Sequence, residues 1–201
     1  LKVSPQEIKS AYTRIDDAYI SACKTAISNI QDYHAHQKPN DWSETLSNGV
    51  QRGYRFSAIH SVGLYVPGGR AIYPSTALMN SIPACLAGVS HIQLVSPPQP
   101  NGSLPDQLLV AADLCGITNI YKVGGAQSIF ALAYGTDTLP KVDKIVGPGN
   151  KYVTRAKQMV YGTVDIDKPA GPSEVCVYLT DPTYAHYAAS ECLAQLEHDP
   201  D

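Results

Sequence analysis

The chain has 201 residues, 44% of them hydrophobic, enough to bury the core of one domain or of a domain and part of another. Its 15 basic and 18 acidic side chains give a net charge of -3 with no basic run, which removes the electrostatic case for nucleic acid or an anionic membrane and points to a small-molecule partner. Cys23, Cys85, Cys115, Cys176 and Cys192 are widely spaced, form no C-x-x-C pair and fall mostly in apolar patterns, so they read as buried free thiols of a reducing cytosol.

Ser4, Pro5 and Glu7 make a capping box with proline at the first helical position, and Ile8, Ala11, Tyr12, Ile15, Tyr19, Ala22 and Ile30 continue one apolar stripe, which predicts a single long amphipathic helix. Residues 37–53, rich in Pro, Asn, Ser and Gly around Trp42, read as an irregular connector. No apolar stretch approaches the length of a membrane span, and Leu1 opens a helix rather than a signal peptide. Leu1 in place of an initiator Met, together with the abrupt Asp201, reads as the ends of a processed or cut chain.

From Ser61 the pattern changes to short β-branched runs, each followed by a glycine- or proline-rich turn and a helix-like segment. The expected strands lie at 62–66, 91–95, 117–123, 142–146 and 163–167, with helices at 75–86 and 106–114 and two more ending at Gly135 and Gly162. Alternation of this length predicts βαβ units and a parallel sheet with helices on both faces. The fold class is therefore α/β, with a Rossmann-like parallel-sheet domain over 61–167 inserted in an incomplete second α/β domain. Residues 1–60 supply the helix and connector of that other domain, and 168–201 return to it after another apolar run at 174–179.

In an open parallel sheet, ligands bind beyond the carboxyl ends of the strands, where Gly68-Gly69, Gly124-Gly125 and the Gly147-Pro148-Gly149-Asn150 loop all fall. Glycine lets backbone N–H groups approach a ligand, and the helix start that follows favours an anion. Tyr65, Gln127 and Asn150 add polar side chains at these loop ends. No G-x-G-x-x-G opens a strand-turn-helix unit, so an ordinary Rossmann fingerprint is absent. Near the end of the chain, Asp181 as N-cap and Pro182 as first helical residue predict a helix to about His198. Gln195 and His198 then share one face. An imidazole suits zinc, an amide oxygen is an unusual zinc ligand, and two ligands are too few for a site. His34, His36, His60, His91 and His186 read as structural or surface histidines.

Val62-Gly63-Leu64-Tyr65-Val66-Pro67-Gly68-Gly69, Gly124-Gly125-Ala126-Gln127, Val142-Asp143-Lys144-Ile145, Gly147-Pro148-Gly149-Asn150, Pro169-Ala170-Gly171-Pro172-Ser173-Glu174 and Gln195-x-Glu197-His198 together resemble, in order and spacing, the histidinol dehydrogenase family. The resemblance covers nearly the whole chain and is weakest before Tyr54. It implies a zinc- and NAD-dependent cytoplasmic enzyme, homodimeric with shared active sites, that oxidises L-histidinol through the aldehyde to L-histidine at the end of histidine biosynthesis. Carried over by position, Tyr65, Gln127 and Asn150 look like NAD contacts, Ser173 like a substrate contact, and Gln195 and His198 like zinc ligands that also touch substrate. The family's remaining zinc ligands and its acid-base Glu-His pair come from a later part of a longer chain, so no catalytic residue is assigned here. These 201 residues alone are expected to be inactive and to bind zinc weakly. Two alternatives stand beside this reading: a paralogous dehydrogenase of another small polar alcohol, and a noncatalytic nucleotide-binding fragment.

Overall fold

The computed structural model describes residues 1–69, 71–169 and 174–196. Helix α1 (Pro5–Tyr12) starts as its capping box requires: the Ser4 hydroxyl accepts the Glu7 N–H at 3.2 Å and the Glu7 carboxylate accepts the Ser4 N–H at 2.9 Å. The expected single long helix is two. Thr13 ends α1, and Asp16 caps α2 (Asp17–Ala35) by accepting the Tyr19 N–H at 2.6 Å. The apolar stripe runs across the break because Ile8, Tyr12, Ile15 and Tyr19 all pack on one core cluster, so periodicity alone did not show the cap.

Residues 37–53 were expected to be irregular, yet β1 (Trp42–Thr45) and β2 (Gln51–Tyr54) form an antiparallel hairpin with Trp42 opposite Tyr54. The Leu46 N–H to Val50 carbonyl bond at 2.8 Å closes its turn, where Gly49 takes a positive φ of 83°. Both strands are largely exposed, which removed the alternating pattern that reveals a strand.

Five parallel strands make the main sheet: β3 (Ser61–Tyr65), β4 (His91–Ser96), β5 (Ile120–Lys122), β6 (Lys144–Val146) and β7 (Asp165–Ile166). Their spatial order is β5-β4-β3-β6-β7. The connecting helices are α3 (Pro74–Ala87), α4 (Asp106–Leu114), α5 (Gly125–Tyr134) and α6 (Lys151–Val160). The chain builds outward from β3 to β5, then crosses back to lay β6 and β7 on the other side of β3, which puts the topological switch point between β3 and β6. β5, β6 and β7 are shorter than the apolar runs that announced them.

Every residue of β3 is buried, and alternate side chains go to opposite faces. Val62 and Leu64 join Leu94 of β4, Ala77 of α3 and Leu108 of α4 in one cluster. Tyr65 and Val95 join Ile129 and Leu132 of α5 and Val153 of α6 in another. Helices α1 and α2, from the stretch assigned to the other domain, pack on the first face: the Tyr12 hydroxyl donates to Asp113 at 2.8 Å and the Tyr19 hydroxyl to the Gln107 carbonyl at 2.9 Å. The amino terminus also covers the β5 edge, with the Val3 N–H donating to the Ile120 carbonyl and the Lys122 N–H to the Leu1 carbonyl, both at 2.8 Å.

Residues 174–179 form no strand; Val175, Val177 and Leu179 are exposed. Asp181 caps as expected, accepting the Thr183 N–H at 2.9 Å, and a 3-10 turn at Pro182–Tyr184 runs into α7 (Ala185–Leu196), none of whose residues is buried. All five cysteines are free, but only Cys23 is buried. Cys176 in the 174–179 run, Cys192 on α7 and Cys85 in the last turn of α3, its thiol 3.7 Å from the Cys115 carbonyl, are exposed, so the expectation of buried thiols fails for these three.

Candidate functional site

The loops that leave the carboxyl ends of β5 and β6 meet around one ring at the end of β3. Tyr65 closes β3 with its side chain buried at 3% exposure on the α5–α6 face. Its hydroxyl accepts the Gly125 N–H at 3.2 Å, in the first turn of α5. Burial raises the phenol's pKa above its ordinary value, opposed by that N–H, so the group stays neutral near pH 7. On the other side, a Cβ built on Gly149 would lie 3.3 Å from Cε1 of the same ring. Tyr65 is thus wedged between the 124–127 and 147–150 loops rather than open at their mouth.

Helix α5 begins at Gly124 with no side-chain cap, and Gly125 takes φ +70°, which turns its N–H toward Tyr65. The Gln127 side chain is exposed and folds back over Gly125, where its Oε1 lies 2.8 Å from a notional Gly125 Cβ. Helix α6 begins differently. The Asn150 side-chain oxygen accepts the N–H groups of Tyr152 and Val153, each at 3.1 Å. The Asn150 oxygen is therefore committed to the helix cap, and its NH2 is the part available to a ligand. Of the two helix starts, α5 is the one that gets no side-chain cap from its N-cap residue, although the Tyr65 hydroxyl takes its Gly125 N–H.

Gly147 links this rim to the switch point. It adopts φ +112°, and a Cβ there would sit 2.1 Å from the Tyr65 carbonyl oxygen and 3.1 Å from Nδ2 of Asn80. That amide nitrogen is buried without a hydrogen-bond partner. Beneath the loop, Lys157 of α6 is 1% exposed. It pairs with Asp167 and donates to the Gly147 carbonyl at 3.0 Å and the Lys168 carbonyl at 3.3 Å. The reading of the sequence missed both members of this pair. A signal was present: Val153, Ala156, Lys157 and Val160 form an inward stripe in which only the lysine is polar.

A cleft of about 950 Å³ opens on the other face of the sheet, lined by Phe56, Ile59, Met79, Asn80, Val146 and Asp167 among others. Tyr65, Gln127 and Asn150 are not among its walls.

Ser173 and His198 lie outside the described residues. Gln195 is in the last turn of α7. Among the described residues no three His, Cys, Asp or Glu side chains come together as a metal site. By themselves they do not assemble a zinc centre. Among them, too, no helix is long and apolar enough to cross a membrane.

A profile of the histidinol dehydrogenase family matches residues 1–201. The histidinol dehydrogenase of Methanothermobacter thermautotrophicus is 51% identical over 199 residues, covering 99% of this chain and 47% of its own length. That of Halalkalibacterium halodurans is likewise 51% identical, with 99% and 47% covered. The crystal structure of histidinol dehydrogenase from Elizabethkingia anophelis superposes with a TM-score of 0.87 at 44% identity, over 98% of this chain and 46% of that one. The chain spans slightly less than half the length of these relatives.

Proposed function

Because the chain belongs to the histidinol dehydrogenase family, we propose that the protein carrying it is an NAD- and zinc-dependent dehydrogenase that oxidises L-histidinol through the aldehyde to L-histidine, and that this portion receives the dinucleotide. The observation that carries the reading is the convergence of the β5 and β6 exit loops on Tyr65, the last residue of β3, at the switch point of an open parallel sheet. Bound NAD supplies a hydride acceptor. The residues of this chain bind and orient it. The uncapped first turn of α5 offers backbone N–H groups to a phosphate, and Tyr65 holds that turn against β3. Gln127 and the Asn150 NH2 supply side-chain contacts at the two loop ends. Ser173 is proposed to touch substrate, and Gln195 with His198 to provide two zinc ligands beside it.

The remaining ligands and the acid-base pair are proposed to come from sequence beyond these 201 residues, which therefore bind NAD without turning it over. We place the enzyme in the cytoplasm as a homodimer, and take 61–167 as the dinucleotide domain, flanked by 1–60 and 168–201 as parts of a second. The test measures NAD binding by calorimetry and NADH formation with L-histidinol, on these 201 residues and on the native protein. Binding by both, with turnover and stoichiometric zinc in the native protein alone, is expected. His198→Ala in the native protein should abolish zinc-dependent turnover and leave NAD binding intact. Turnover by the short chain, or full activity in His198→Ala, would overturn the assignment.

A further inference from the structure

Lys157 is buried to 1% exposure, and its ammonium meets three acceptors: the Asp167 carboxylate, the Gly147 carbonyl at 3.0 Å and the Lys168 carbonyl at 3.3 Å. Asp167 completes the arrangement from the other side. One of its oxygens accepts the Gly147 N–H at 2.8 Å, and the other accepts the Lys168 N–H at 2.7 Å as well as the lysine. Both backbone polar groups of Gly147 and both of Lys168 are therefore held by one ion pair. Gly147 opens the loop that ends in the α6 cap, and Lys168 opens the segment that leads to Ser173.

Stability alone does not account for charge at this position. A buried ion pair carries a desolvation penalty that often cancels its attraction, and apolar residues of similar volume serve a core as well or better. What a Met or Leu cannot do is donate to two carbonyls, or hold a carboxylate against two N–H groups. The pair also sits beside the most constrained glycine of the rim, whose φ of +112° puts its Cβ position within 2.1 Å of the Tyr65 carbonyl. A peptide with so little room has few alternative placements, and the pair fixes it from two sides.

We infer that Lys157 and Asp167 are positioning residues: the pair holds the 147–150 loop in the geometry that receives the dinucleotide and couples that loop to the backbone of Lys168. This rests on the dinucleotide reading proposed above. Neither side chain is assigned contact with cofactor or substrate.

The test uses the native protein with Lys157→Met, which keeps the approximate volume of the side chain and removes its charge and donors, and Asp167→Asn, which removes the charge and keeps one acceptor oxygen, an NH2 donor replacing the other. NADH formation with histidinol gives KM for NAD and kcat, and amide hydrogen exchange reports on Gly147 and Lys168. Lys157→Met should raise the KM for NAD about tenfold with kcat within about twofold, and speed exchange at both amides. Asp167→Asn should move KM and exchange in the same direction. A lysine that merely stabilises the fold would lower the folded fraction, which reduces kcat per total protein and leaves KM unchanged; that result overturns the proposal. Unchanged KM and unchanged exchange overturn it as well, with the dinucleotide reading intact. Wild-type protein that binds no NAD would sink the dinucleotide reading, and this inference with it.

Discussion

The Tyr65 hydroxyl accepts the Gly125 N–H at 3.2 Å, tying the end of the central strand β3 to the first turn of α5 across 60 residues of sequence. The ring is buried and the hydroxyl neutral, so this is a hydrogen bond between uncharged groups that solvent does not replace when it is lost. Tyr65→Phe keeps the packing and leaves the Gly125 N–H without that acceptor. A loss of roughly 1 kcal/mol in unfolding free energy is expected, together with a several-fold weaker affinity for NAD. Urea denaturation and calorimetry measure the two; NAD affinity equal to wild type in Tyr65→Phe would show that this tie does not organise the cofactor site.

Gly147 and Gly69 share φ +112°, yet their surroundings differ. A Cβ on Gly147 would stand 2.1 Å from the Tyr65 carbonyl oxygen, whereas one on Gly69 meets nothing within 4 Å. Gly69→Ala should therefore show only the backbone strain of a left-handed alanine, about 1–2 kcal/mol. Gly147→Ala adds a clash with main chain that no rotamer relieves, and should lose roughly 3 kcal/mol or more. Equal thermal midpoints for the two variants would mean that the β3–β6 junction opens more easily than its geometry indicates.

The βαβ run from Ser61 to Asp167 was legible because buried strands and caps write themselves into composition: β-branched runs, glycine after each helix, and N-cap signals such as Ser4 and Asp181 that work as expected. The hairpin of β1 and β2 was not legible, since its exposed strands bury no face that sequence could mark. The α1–α2 break was hidden because both helices press the same stripe on one core. At the site, the glycines announced where backbone had to come close. Sequence could not show that Tyr65 lies buried beneath the rim or that the Asn150 oxygen is occupied by a helix cap, because both depend on which loops the sheet order brings together. Lys157 was passed over since one lysine on a ten-residue helix looks like surface until its neighbours are known to be buried.

Asn150 serves two ends with two atoms, and substitution can separate them. Asn150→Ala removes the acceptor for the Tyr152 and Val153 N–H groups and should destabilise the protein by about 1 kcal/mol. Asn150→Asp retains the cap and gains a favourable charge at a helix start, so its stability should equal or exceed that of wild type. It also replaces the NH2 donor proposed to contact the dinucleotide with an anion, facing a ligand that is itself anionic. NAD affinity should then fall about tenfold in Asn150→Asp although the fold is intact. Retained affinity in the aspartate variant would remove Asn150 from the list of cofactor contacts and leave it a capping residue.

Tyr12 and Tyr19 fasten the first two helices to α4, and both phenols have pKa values raised mainly by burial. The Tyr12 hydroxyl donates to Asp113, which reinforces the shift and pushes it to about 12. In the unfolded chain the same group ionises near pH ~10. The folded state thus binds the phenolic proton more tightly, and the stability linked to it is fully present below about pH 10 and is lost as pH rises through about 12. Alkali should release α1 and α2 from α4 in that window. Lysine deprotonation contributes over the same range, so the comparison with Tyr12→Phe is decisive. That variant lacks the Asp113 hydrogen bond at every pH and should be less stable than wild type at pH 9, by an amount that shrinks towards zero by pH 12. Urea midpoints across this range give the difference directly, and a gap that stays constant with pH would mean that the Tyr12 hydroxyl keeps its proton no better in the folded chain than in the unfolded one.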